Sequence, residues 1–159
     1  MKLFPSSIYE FKLNDSKEKT LERLKRGTET SEKSISTFID KSFTGNINQN
    51  KFQLFLSNIG GGSFCKLTGF LDDSEGEVLV EIKRNFKMLL CVLYFLPILG
   101  LIIELISNSK AFHLILLLVC PLQILAIRFI FIGIFFKVSS RQVLARFSDV
   151  LDTGAMIKK

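Results

Sequence analysis

MLLCVLYFLPILGLIIELI (residues 88–106), then SNSK (107–110), then AFHLILLLVCPLQILAIRFIFIGIFF (111–136): these stretches decide how the chain folds. The first is 19 residues long and has one charge, Glu104; the third is 26 residues long and has one charge, Arg128. A helix rises about 1.5 Å per residue, so the two runs cover roughly 28 and 39 Å against a hydrocarbon core of about 30 Å. Thirteen residues of the first run and eighteen of the second are Leu, Ile, Val or Phe. Each favours the bilayer by about 0.3–0.6 kcal/mol, and together they outweigh one ionisable residue at about 2.5–3.5 kcal/mol. The pair reads as two transmembrane helices joined by a tight outer turn. The alternative is a helical hairpin buried in a soluble domain. Its helices would be apolar on every face, and a chain of 159 residues leaves too little sequence to cover them.

The net charge of +6 is spread unevenly. Lys83, Arg84 and Lys87 precede the first span, and Lys137, Arg141 and Arg146 follow the second, whereas the outer turn carries only Lys110. By the positive-inside rule both termini face the cytoplasm, across a plasma or inner membrane. The excess is too weak and too localised to mark a nucleic-acid binder, so the expected partners are the lipid bilayer and either copies of this chain or another membrane protein. Residues 1–5 lead into polar sequence rather than an apolar signal region, so the first span is expected to serve as the insertion signal.

Upstream of the spans the chain alternates. Residues 7–13 (SIYEFKL) put Tyr9, Phe11 and Leu13 on one face, as a half-buried strand does. Asp15 and Glu18 have capping-box spacing, and Gly27 suits a C′ position, so residues 16–26 read as a short surface helix with only Leu21 and Leu24 on its apolar stripe. The Ser/Thr/Glu-rich residues 28–37 read as a linker. Residues 41–47 and 51–57 flank Asn48-Gln49-Asn50, a hairpin turn. Residues 64–70 and 77–83 flank a second turn, LDDSEG, at 71–76. Beyond the spans, Val143, Leu144, Phe147, Val150 and Leu151 recur at helical spacing, so residues 140–151 form an amphipathic helix. It has three possible destinations: the open face of the sheet, the headgroup layer, or a copy of itself. Residues 152–154 end it, and 155–159 read as a frayed tail.

The expected fold class is α+β. A small N-terminal antiparallel-sheet domain with one short helix occupies residues 1–87, and a two-helix transmembrane hairpin occupies 88–136 with spans at 88–106 and 111–136. A C-terminal amphipathic helix and tail occupy 137–159. The sheet is expected to have four or five strands.

The hairpin holds the few informative residues. Antiparallel pairing about 107–110 brings Glu104 near His113 close to the outer interface, either as a titrating pair or simply in reach of water. Pro97 faces Pro121, where both helices can bend, and Gly100 permits close backbone approach. Arg128 measures depth. If the span starts at Ala111, Arg128 lies about 25 Å down and snorkels to the inner surface; if Lys137 marks that surface, Arg128 is about 13 Å deep and needs a partner. The first arrangement is favoured, because the first span offers no acid near Arg128. It leaves FIFIGIFF (129–136) to be covered, so Phe129, Phe131, Phe135 and Phe136 are candidate interface residues.

Chemistry is harder to find. Cys65, Cys91 and Cys120 form no C-x-x-C pair, and with a single histidine they make neither a zinc set nor a disulfide framework. Gly60-Gly61-Gly62-Ser63 lacks the Lys-[Ser/Thr] ending of a phosphate loop. Asp72, Asp73, Glu75 and Glu77 have no EF-hand pattern and read as a solvated turn. No Ser-His-Asp or Cys-His set can be assembled on the cytoplasmic side, so no catalytic residue, metal or cofactor is expected. A small domain with a two-span hairpin is too generic to carry a function across by architecture. The expected role is a membrane-anchored interaction, assembly or regulatory module. The alternative is an oligomeric transport or proton-coupled component using Glu104, His113 and Arg128. Last comes a membrane-tethered ligand sensor or enzyme using the glycine run and the acidic turn.

Overall fold

Alternating side chains upstream of the spans build one sheet. The computed structural model describes residues 4–29, 41–57, 63–107, 113–154 and 156–159. The chain divides into two units: Met1–Lys83 together with Val138–Lys159, and Arg84–Lys137. The first unit contains β1 (Ser6–Lys12), α1 (Lys17–Gly27), β2 (Thr28–Glu29), β3 (Phe43–Asn48), β4 (Lys51–Leu56), β5 (Cys65–Leu71) and β6 (Glu75–Ile82). The second contains α2 (Arg84–Ser107), α3 (His113–Ala126) and a π-helical segment, Ile127–Ile134. Next comes α4 (Phe135–Leu151), which belongs to the first unit from Val138 onward; β7 (Ile157–Lys158) follows.

Among the described residues the sheet has seven strands, in the order β2-β3-β4-β5-β6-β1-β7. Every pairing is antiparallel except β2 with β3. Five strands lie where the alternation put them. The two extra ones are edge strands of two residues each, too short to show a period in sequence. The frayed-tail expectation for 155–159 is corrected by β7. Tyr9 pairs with Lys158, and the Lys159 N–H donates to the Ile8 carbonyl at 3.0 Å. Lys159 also reaches Glu10 at 2.6 Å, and that partner raises the ammonium above its ordinary range. Of the expected linker at 28–37, Thr28 and Glu29 pair with β3, and the remainder lies outside the described residues.

One face of the sheet is dry. Phe43, Phe52, Leu54, Cys65, Leu67, Val78 and Val80 are each at most 2% exposed. They line up by register, Leu54 against Leu67 and Leu67 against Val80. The C-terminal part of α4 closes that face. Val143, Phe147 and Leu151 are buried at i, i+4 and i+8, so one helical stripe turns inward. Phe147 sits at the centre. Its ring lies 5.6 Å from Phe11 and 6.3 Å from Phe43, both edge-on, and 5.3 Å from Phe52. Of the three destinations open to this helix in sequence, the structure shows the sheet.

Two glycines make room for the rings. A Cβ on Gly76 would stand 2.4 Å from the Phe11 ring, and one on Gly69 would stand 2.6 Å from the Phe52 ring. Each aromatic lies across a strand where a side chain is missing, which restores the buried area that glycine gives up. Gly27 corrects a reading of sequence. It is the last residue of α1 rather than a left-handed cap, and a Cβ there would come 2.9 Å from a methyl of Val150 on α4. The expected capping box is likewise absent. Ser16 is the N-cap, without a side-chain cap bond, and Asp15 pairs with Arg23 at 2.6 Å. The left-handed residue at a helix end is Asp152, after α4, with φ 52°.

The opposite face of the sheet is mixed. Lys66 and Glu81 pair across β5 and β6 at 3.0 Å, and the Lys83 ammonium lies 4.9 Å from the centre of the Phe55 ring. Of the acidic stretch read as a turn, Asp72 and Asp73 lie between β5 and β6, whereas Glu75 and Glu77 belong to β6, because the ladder with β1 extends through them. The Asp72 N–H donates to the Glu75 carbonyl at 2.8 Å, and Asp73 pairs with Lys17 at 3.1 Å.

Phe147→Ala removes the ring shared by three others and should cost about 3–5 kcal/mol, while Phe147→Leu should cost roughly 1–1.5 kcal/mol. Gly76→Ala forces Phe11 aside and should cost about 1–3 kcal/mol. Denaturant melts of the full chain in mild detergent check all three. Cys65 supplies a further test. Burial pushes its thiol from 9.0 to about 12, so it stays protonated at neutral pH and is a poor nucleophile. With the other two cysteines replaced, alkylation of Cys65 should require denaturant. Stability attributable to this thiol is intact below pH 9.0 and falls as pH rises toward about 12, because the unfolded chain releases the proton first.

Candidate functional site

The second unit is where the sequence placed its informative residues. Among the described residues two helical stretches are long and apolar enough to cross a membrane, Arg84–Ile103 and Leu118–Leu151. The core helix of a soluble protein hides most of such a surface. Here only 11% and 17% of the most apolar windows are buried. Phe95, Leu96, Ile103, Leu118, Leu122 and Phe129 are each 58–70% exposed.

A single contact gives the register of the two legs. The Cys120 thiol donates to the Pro97 carbonyl at 3.4 Å, within one residue of the Pro97–Pro121 pairing read from sequence. Both prolines lie inside helices, Pro97 in α2 and Pro121 in α3. Proline lacks an N–H and so deprives the carbonyl one turn earlier, here that of Leu93, of its helical donor; the thiol goes instead to Pro97's own carbonyl, whose oxygen has two lone pairs.

Beside this contact runs a groove of about 500 Å³. α2 lines it with Leu93, Leu96, Pro97 and Gly100; the other leg contributes Val119, Cys120, Gln123, Ala126, Ile127 and Phe131. Gly100 departs from expectation. Sequence suggested close backbone approach, but a Cβ there would meet nothing within 4 Å. The missing side chain holds the groove open instead. Gln123 is exposed in the groove; elsewhere on α2, Tyr94 has a hydroxyl oxygen buried without a hydrogen-bond partner among the described residues.

The π-helical segment carries the Phe-rich run. Its wider turn is seen where the Phe135 N–H donates to the Ile130 carbonyl, five residues back. Ile127, Ile132 and Phe136 are buried at intervals of five and four, as that wider turn dictates. Of the four phenylalanines singled out in sequence, Phe129, Phe131 and Phe135 are exposed, and Phe136 is already covered at 8% exposure. The rings of Phe131 and Phe135 stack at 6.4 Å. The π geometry has no signature in the sequence, so hydrophobic spacing alone could not sort these rings.

Arg128 lies in the π segment and is half-buried. No ion pair to it occurs among the described residues. The Cys120–Pro97 register sets it level with Leu89, about 7.5 Å along the axis from Arg84. Glu104 is in the last turn of α2 and His113 begins α3. Their side chains, and hence the proposed pair, lie outside the described residues, as does the Gly60–Gly62 run. Groups of three or more His, Cys, Asp or Glu side chains that could hold a metal ion do not occur among the described residues.

No family model, curated protein or solved structure matches this chain.

Proposed function

We propose that this is a two-pass integral membrane protein whose hairpin anchors the α+β unit, and that the assembly serves as an interaction module with both termini in the cytoplasm. The observation that supports this most is the shared core. Phe147 comes after the hairpin, yet its ring packs among Phe11, Phe43 and Phe52, which come before it. Any bilayer crossed by the intervening legs must leave both flanks on one side, so the crossings come in pairs. The cations Lys83, Arg84, Lys87, Lys137, Arg141 and Arg146 flank that side and favour the cytoplasm.

The interaction role follows from surface. Phe129, Phe131 and Phe135 remain exposed at the cation-rich end of the hairpin, where their rings need lipid, a second copy or another membrane protein.

Reporter fusions test the topology. Fusions at either terminus should report the cytoplasm, and a fusion after Asn108 should report the opposite side. Opposite readings at the two termini would sink the shared-core argument. Size in mild detergent tests the interaction role. An assembly larger than one chain, reduced by Phe129→Ser with Phe135→Ser, is expected; a strict monomer with nothing bound would count against it.

A further inference from the structure

We infer that the groove between the two legs holds one acyl chain of an acidic phospholipid, with Arg128 binding its phosphate. This rests on the membrane reading above and adds a ligand to it.

Two observations join. The first is the groove itself, about 500 Å³, apolar except for Gln123 and opened by the absence of a side chain at Gly100. Its lining on the second leg extends from Val119 to Phe131, about 18 Å at helical rise, a length suited to a fatty chain rather than a compact solute. The second is charge. The only acid in residues 84–137 is Glu104, about 22 Å along the axis from the level of Arg128. Arg128 follows the groove-lining Ile127 in sequence, does not itself line the groove, and has no ion pair among the described residues.

A guanidinium without a counter-ion is costly in an apolar setting. A phosphate meets its fork in two parallel hydrogen bonds. Depth agrees with this. Arg128 is about a turn and a half from the level of Arg84, within reach of headgroups for a long side chain. A neutral detergent-like chain would satisfy the groove but not the arginine; an anionic solute would satisfy the arginine but not the groove. A phospholipid satisfies both, and one with net negative charge does so better, because its phosphate carries no ammonium of its own to offset it.

The test uses the full chain, purified in mild detergent with equal amounts of dioleoyl-phosphatidylglycerol and dioleoyl-phosphatidylcholine. These differ only in headgroup, and native mass spectrometry reads which stays bound. Wild type should retain phosphatidylglycerol over phosphatidylcholine about five-fold, the worth of one cationic contact at a membrane surface. Arg128→Gln should bring the ratio near one, and Arg128→Lys should keep most of it. Gly100→Leu has open space to grow into and should reduce retention of both lipids. No preference in wild type, or a preference unchanged in Arg128→Gln, overturns the inference. So does retention unchanged in Gly100→Leu, which decides the matter even where Arg128→Gln fails to insert. A disulfide formed between two chains through Leu96→Cys would place a second copy in the groove and overturn it too. Flotation with vesicles separates the levels. Wild type that floats without headgroup preference fails this inference alone, whereas wild type that does not float fails the membrane reading beneath it.

Discussion

A single aromatic ring ties the two ends of this chain together. Phe147 fills the space between Phe11, Phe43 and Phe52 and is wholly buried. Without it, the inner face of a seven-stranded sheet would be left open over its central strands. The sheet cannot supply this closure from its own segment, because α1 buries only Thr20 and Leu24. A short polar helix with two buried positions covers too little apolar area to hold a sheet of that width. The domain therefore depends on a helix that is made only after the whole hairpin. Folding of the sheet and placement of the hairpin are linked by connectivity, whatever surrounds the hairpin.

Much of this was legible beforehand, for reasons specific to particular residues. The two long apolar helices declare themselves through length, since runs of 19 and 26 residues with one charge each exceed what a strand or short core helix needs. β1, β4 and β6 are visible because one face of each is buried, and burial on one face forces period two. The stripe Val143–Phe147–Leu151 announces a helix equally well, but a stripe says only that something apolar covers it. Choosing the sheet over headgroups or a second copy needed the ring contacts themselves. β7 was invisible because two residues show no period, and Gly27 was misread because a glycine at a helix end is ambiguous between backbone freedom and lack of bulk. Here the Val150 methyl decides for lack of bulk.

The candidate site was legible in position and obscure in meaning. Pairing Pro97 with its counterpart needed only the turn at 107–110 and equal helical rise, and the thiol contact of Cys120 agrees to within a residue. Gly100 was recognised as special but for the opposite reason, a gap rather than an approach. That difference cannot be read from one helix, because it depends on which residue the other leg presents. The π turn compounds the difficulty. It shifts side chains from the directions an α-helix would give them, so Phe136 turns inward while Phe135 stays exposed.

Connectivity also constrains the hairpin. The chain leaves the sheet unit after Lys83 and rejoins it at Val138. Both junctions belong to the sheet unit, so the hairpin leaves and returns to the same folded unit. α2 spends 24 residues on the outward leg, and the return, from His113 to Lys137, spends a similar number. Lengthening one leg alone would strain the junction or shift the Cys120–Pro97 register. A stretch of π-helix advances less per residue than an α-helix, so the eight residues from Ile127 to Ile134 cover less length than the same number of α-helical residues would. Arg128 stands near the start of that stretch, so its level relative to Arg84 is set by the residues between it and the Cys120–Pro97 contact.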